Sequence, residues 1–181
     1  MSETIKVHLG CGTHYLPGWI NCDVVPDMRA DKYFDLETFP WPFPDNSVDE
    51  IFMDQVLEHL SDTMKVMAEI YRILKPGGIA RIIVPYAKTD GAFQDPTHKR
   101  FFTEKTMDYF SDDYAYNFYS HYRFKILRAE LTGRSDTLLK HIRNAIPFRK
   151  ILNWFFWNLF DCVEYDIQKP GAEPAKPGLK T

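Results

Sequence analysis

The stretch Ser61–Val84 restricts the fold more than any other part of the chain. Val66, Met67, Ile70, Ile73 and Leu74 recur at i, i+1, i+4, i+7 and i+8, which places them on one face of a helix over Ser61–Leu74. Ser61 or Asp62 can cap its start, and Lys75-Pro76-Gly77-Gly78 stops it. Ile79–Val84 follows and is almost continuously apolar, which predicts a strand buried on both faces of a parallel sheet. Ile5–Leu9, Trp19–Val25, Lys32–Phe34 and Val48–Met53 read as its companions. Between the third and fourth of these, the Pro-rich run Phe39–Asn46 excludes both helix and central strand. This alternation predicts an α/β, Rossmann-like fold, an open and mostly parallel sheet with flanking helices. Its first crossover must be abbreviated. Thr13–Gly18 supplies six residues, whereas a parallel crossover normally takes a dozen or more.

The second half reads as a helix over Thr103–Phe110, a strand over Tyr122–Leu131, a mainly helical stretch over Ile142–Phe160 and a closing strand over Asp161–Gln168. Residues 1–168 then form a single domain. Lys169–Thr181, rich in Pro, Gly and Lys, forms a flexible, solvated tail. A chain of 181 residues leaves little room for a second domain. With 22 Lys+Arg against 25 Asp+Glu and a net charge of −3, no nucleic-acid partner is expected. No apolar run is long enough to span a bilayer, and the first residues show no leader segment. Three cysteines without a CxxC pair predict a reduced, cytoplasmic protein and no Cys-ligated zinc, and no metal site is read from the sequence.

Chemistry is expected at the strand ends. Gly10-Cys11-Gly12 turns the chain after the first strand and lets a ligand approach the backbone, although a GxG turn often marks nothing more than a turn. Asp23 ends the second strand, where α/β nucleotide sites place an acid for ribose hydroxyls, and Asp35 with Leu36 follows the third. Each aspartate alone reads as a turn residue or cap. Placed at consecutive strand ends, they would line one crevice at the carboxyl edge of the sheet.

From here the sequence resembles the class I S-adenosylmethionine-dependent methyltransferases, in particular their small type-11-like branch. The resemblance rests on Val7-His8-Leu9-Gly10-Cys11-Gly12, Leu16-Pro17-Gly18-Trp19-Ile20-Asn21-Cys22-Asp23-Val24 and Phe43-Pro44-Asp45-Asn46-Ser47-Val48-Asp49-Glu50-Ile51. It continues through Val56-Leu57-Glu58-His59-Leu60, Arg72-Ile73-Leu74-Lys75-Pro76-Gly77-Gly78 and Asp95-Pro96-Thr97-His98-Lys99-Arg100-Phe101-Phe102-Thr103. The resemblance implies S-adenosylmethionine as cofactor, with Gly10, Cys11 and Gly12 facing its methionine part. It implies Asp23 on the ribose, Asp35 and the Leu36 backbone at the adenine, and Asp54 and Gln55 near the methyl group. The sequence departs from the class pattern at His8, where an acid is more usual, and in the short 13–18 connection.

Methyl transfer from a sulfonium mainly requires positioning, and a base is needed only when the acceptor must lose a proton. His59 and His98 are the candidate bases. His59 reads equally as a packing histidine, whereas His98 lies in the polar loop Gln94–Arg100 beyond the Ile79–Val84 strand. Arg100 could bind an anionic acceptor. Cys11 reads as a small loop residue and not a nucleophile. The aromatic run within 146–160, preceded by Lys140, Arg143, Arg149 and Lys150, reads as a helix packed on the sheet or a second subunit, forming a homodimer. It also has the composition of a membrane-surface helix, which would place the protein at the periphery of the inner membrane. The function expected is methyl transfer to a small-molecule or glycan/envelope-type acceptor. A non-catalytic cofactor-binding module acting through the aromatic C-terminal surface is the alternative. An NAD-binding oxidoreductase is disfavoured, because the third glycine of GxGxxG and the crossover helix are both missing.

Overall fold

The computed structural model describes residues 4–133 and 145–171. Seven strands form one sheet: β1 Lys6–Leu9, β2 Ile20–Asp23, β3 Lys32–Tyr33, β4 Val48–Asp54, β5 Leu74–Pro85, β6 Lys125–Thr132 and β7 Cys162–Gln168. Their spatial order is β3-β2-β1-β4-β5-β7-β6. The first five pair in parallel, and β7 runs antiparallel to both β5 and β6. This is the Rossmann-like sheet expected, with residues 13–18 as a loop in place of the first crossover helix.

The register explains where the core sits. Val7, Ile51, Ala80 and Ile167 are cross-strand neighbours, as are Leu9, Met53, Ile82 and Tyr165 in the next row. All eight are buried. Helix α1, Thr63–Ile73, covers this face with Val66, Met67, Ile70 and Ile73. Asp62 caps it, accepting from the Lys65 amide at 3.0 Å. The intervening row runs His8, Phe52, Arg81, Asp166, Arg128. It lies on the opposite face, which is laced with ion pairs: Lys6–Glu50 at 3.0 Å, Arg81–Asp166 at 2.7 Å and Arg128–Glu164 at 2.9 Å. β5 is therefore not buried on both faces as its apolar run suggested. Ala80, Ile82 and Val84 are buried, and Arg81 is exposed. Lys75–Gly78 follows the end of the helix, as expected, but within the strand. The chain passes from α1 directly into β5, and these residues form a bulge between the Val48–Leu74 and Glu50–Ile79 pairs. Proline is tolerated at such a bulge.

Three further expectations are corrected. The Thr103–Phe110 segment is a 3₁₀ turn over Thr106–Phe110, burying Met107 and Phe110. Within 142–160, residues 142–144 lie outside the described residues, and only α2, Arg149–Leu152, is helical. The run that follows does not pack on the sheet: Trp154, Phe155, Phe156 and Trp157 are exposed, and Phe160 alone of these aromatics is buried. Asn153 and Asn158 hold the segment, through Asn153 Nδ2 donating to Tyr86 Oη at 2.8 Å and Asn158 Nδ2 donating to Asp90 Oδ2 at 2.7 Å. Finally, Lys169 is part of the domain and not of a tail. Its buried ammonium donates to Asn46 Oδ1, Tyr71 O and Leu74 O at 2.7–2.9 Å, and burial lowers its pKa.

Candidate active site

The carboxyl ends of β1, β2 and β4 and the loop after β3 converge on one crevice. Its walls are Gly10, Cys22, Asp23, Val24, Phe34, Asp35, Leu36, Gln55, Val56, His59 and Leu60. Gly10 is required there by both its backbone and its surroundings. Its φ is +65°, and a Cβ would lie 2.5 Å from Val56 Cγ2. Gly12, φ +50°, completes the turn, and its amide donates to Asp23 Oδ2 at 2.7 Å. Asp23 Oδ1 accepts from the Val25 amide at 2.9 Å. The carboxylate thus fixes the β1 turn against the end of β2. Each of its oxygens keeps a further lone pair for a ligand.

Asp35 is exposed at the crevice rim, with Oδ1 accepting from the Glu37 amide at 2.8 Å. Between the two acids the walls are apolar: Val24, Phe34, Leu36, Val56 and Leu60. An apolar slot with a carboxylate at its waist and another at its rim fits a nucleoside, whose base is flat and whose ribose offers hydroxyl donors. Five of the eight residues expected to hold a cofactor therefore meet in one place: Gly10, Asp23, Asp35, Leu36 and Gln55. Three stand behind it. Cys11 is buried with its thiol toward Arg29 O, and burial raises its pKa, which agrees with its reading as an inert loop residue. Gly12 acts through its amide on Asp23, and Asp54 closes β4 next to Gln55.

On the acceptor side the two histidines do meet. Their rings pack edge to face with centroids 4.8 Å apart. His59 is the one on the crevice wall, and His98 backs it with its side chain 8% exposed. The sequence, by its polar loop Gln94–Arg100, points to His98 ahead of His59. Burial lowers the His59 pKa, and the adjacent His98 lowers it further. Arg100 is corrected from its expected place. It lines a groove with Thr63, Met64 and Phe101, and its guanidinium donates to Ser61 O. It anchors the start of α1 and does not face the crevice.

Two contributors were not visible in the sequence. The Lys99 and Arg100 amides both donate to Glu58 O, at 2.8 and 3.1 Å, which pins the 94–100 loop onto the 57–59 turn. Glu37, just past Asp35, accepts from the Ser61 amide at 2.5 Å and from Lys99 Nζ at 3.2 Å. The hydroxyl and amide of Ser61, with Lys99, hold its pKa at about 2.

The family model described as "Methyltransferase domain" matches residues 7–82, the span from β1 into β5 that builds the crevice. Over these residues the chain is similar to S-adenosylmethionine-dependent methyltransferases. That similarity supports S-adenosylmethionine as the cofactor. A phosphoethanolamine N-methyltransferase from Caenorhabditis elegans is 38% identical over 69 residues, 38% of this chain and 15% of the relative. A demethylmenaquinone methyltransferase from Listeria welshimeri is 51% identical over 37 residues, 20% of this chain and 16% of the relative. The chain thus matches less than a fifth of the length of either relative. A solved S-adenosylmethionine-dependent methyltransferase from Archaeoglobus fulgidus shares the fold, with a TM-score of 0.61 at 17% identity, covering 92% of this chain and 86% of that one.

Proposed function

We propose that this chain transfers a methyl group from S-adenosylmethionine to a small-molecule or glycan-like acceptor, with His59 receiving the acceptor's proton. The observation that carries this reading is the convergence of Asp23, Asp35, Gln55 and His59 on one crevice. The names of the two relatives above denote small-molecule acceptors, which supports that class. The bound cofactor supplies an electrophilic methyl group on a sulfonium. The rest falls to the chain. Asp23 accepts from the ribose hydroxyls, Asp35 and the Leu36 backbone meet the adenine edge, and the apolar walls exclude water from the base. Gln55, held at φ +57° just after β4, lies at the strand end nearest the acceptor histidines. His59 receives the proton, and His98 is a positioning residue that holds the His59 ring through their edge-to-face contact.

The test pairs a cofactor titration with an assay of S-adenosylhomocysteine formed across a panel of hydroxylated and aminated acceptors. His59→Ala should keep cofactor affinity within about threefold, under 1 kcal/mol, and lower kcat by roughly 10²–10⁴-fold. His98→Ala should lower kcat less, again without touching cofactor affinity. Arg100→Ala should leave both near wild type. Unchanged turnover in His59→Ala would refute the assignment of the acceptor face. Tight cofactor binding with no turnover on any acceptor would favour the non-catalytic module.

A further inference from the structure

The two imidazoles and the residue before the first of them form a cluster whose chemistry methyl transfer alone does not explain. Glu58 is fully buried. One ligand atom from each of Glu58, His59 and His98 lies within 4.8 Å of the others. The hydrogen bonds around the two rings fix their protonation. His98 Nδ1 stands 2.9 Å from Ala92 O, and a carbonyl can only accept, so that nitrogen carries the proton. His59 Nδ1 stands 2.9 Å from Thr97 Oγ1. The Thr97 hydroxyl donates its single proton to Asp95 Oδ1 at 2.7 Å, so toward His59 it accepts, and His59 Nδ1 is protonated as well. Both Nε2 atoms are left with lone pairs. An outer partner that holds the Nδ1 proton and so aims Nε2 is the arrangement that metal-binding histidines use.

We propose that Glu58, His59 and His98 bind one divalent transition ion of the zinc class. Two imidazole nitrogens and one carboxylate oxygen are a ligand set such ions take, and three protein ligands leave a further position for a substrate. Because His59 lies on the crevice wall, that position faces the acceptor side. The ion would bind an acceptor hydroxyl there and ease the loss of its proton to water, so that with the ion bound His59 serves as a ligand and no longer as the base itself. The role, though not the binding, rests on the methyl-transfer reading. Asp95 Oδ2, 3.9 Å from His98 Nε2, adds a carboxylate at the rim. The ligands come from two segments far apart in sequence, which is why no spacing motif announces them.

The experiment strips the full chain with a chelator and titrates it with Zn²⁺ by calorimetry, then with Co²⁺ followed by visible absorption. One equivalent should bind, and Co²⁺ should give the intense visible bands of a low-coordinate site. His59→Ala and His98→Ala should weaken binding at least 100-fold. Thr97→Val, at an exposed residue, should weaken it about 10–100-fold by releasing the His59 ring. Arg100→Ala should leave it unchanged. Absence of stoichiometric binding, or binding undiminished in both histidine variants, overturns the site and leaves His59 as a metal-free base. Stoichiometric binding without any S-adenosylhomocysteine formed would instead count against the methyl-transfer reading and leave the ion site standing.

Discussion

Asp23 carries two tasks at once, and separating them decides its role. Its oxygens already accept from the Gly12 and Val25 amides, so removal loosens the β1 turn as well as the ligand site. Asp23→Ala should weaken S-adenosylmethionine binding by about 1.5–3 kcal/mol, the worth of hydrogen bonds to a charged group, or roughly 10–150-fold. Asp23→Asn keeps one oxygen acceptor for the turn and loses the charge, so its loss should be intermediate with little change in melting temperature. Asp35→Ala should lose less than Asp23→Ala, since one rim contact is at stake. Calorimetry with a melting curve for each variant checks the series, and equal affinity in folded Asp23→Ala would remove the ribose assignment. These positions were legible in the sequence because Gly and Asp punctuate strand ends, and strand ends in a parallel sheet share one edge. Glu58 was not legible. A buried glutamate in Val56–Leu60 has no periodic or spacing signal, and its meaning depends on His98, which tertiary structure brings to it.

At the level of elements, the aromatic run shows how composition can mislead. Residues 151–160 are apolar on nearly every side, which reads as a buried helix. The structure instead anchors the run by polar groups. Asn153 and Asn158 bond to the 86–90 loop, Trp157 Nε1 donates to Asp90 Oδ1 at 2.8 Å, and the rings of Trp154, Phe155 and Phe156 turn outward. Hydrogen-bond partners more than sixty residues away set that orientation, and a local window cannot register them. Burial now separates the outcomes. Trp154→Ala, at a side chain left 84% exposed, should change stability by no more than about 0.5 kcal/mol. Phe160→Ala, at 2% exposure beneath the Arg149 guanidinium, should lower it by about 3–5 kcal/mol. Chemical denaturation of both variants measures the contrast, and a large loss in Trp154→Ala would mean the run packs on something. Liposome flotation and sedimentation of the same variant separate a membrane surface from a second subunit.

For the whole molecule, the abbreviated crossovers place the acceptor loop under the control of distant segments. With no helix between β1 and β2 or between β2 and β3, the sheet face opposite α1 carries, among the described residues, ion pairs and the His8–Phe52–Trp19 ring contacts, and the core lies on the α1 side. The parallel order was legible because short strand-and-turn units repeat along the first half. The polar second face was hidden by the apolar run of β5, in which Arg81 is the one charged residue between Ile79 and Val84. On the crevice side, Glu37 ties together the loop after β3, the residue before the α1 cap and the 94–100 loop through Ser61 and Lys99. Its folded pKa of about 2 lies below the ordinary glutamate value. The stability it contributes is therefore fully present above about pH 4.3, the unfolded value, and is lost as pH falls toward 2. Because the pair with Lys99 is partly exposed, the contribution discounts to about 0.5–1 kcal/mol. Glu37→Gln should lower the melting temperature by a few degrees at pH 7, and the difference from wild type should shrink steadily as the pH is taken from 4.5 toward 2. Its effect on catalysis should exceed its effect on stability, because the Lys99 end of the network sits next to His98. Melting curves across that pH range, beside turnover at pH 7, measure both. A Glu37→Gln deficit in melting temperature that stays constant with pH would remove the carboxylate from the account of how the acceptor loop is held.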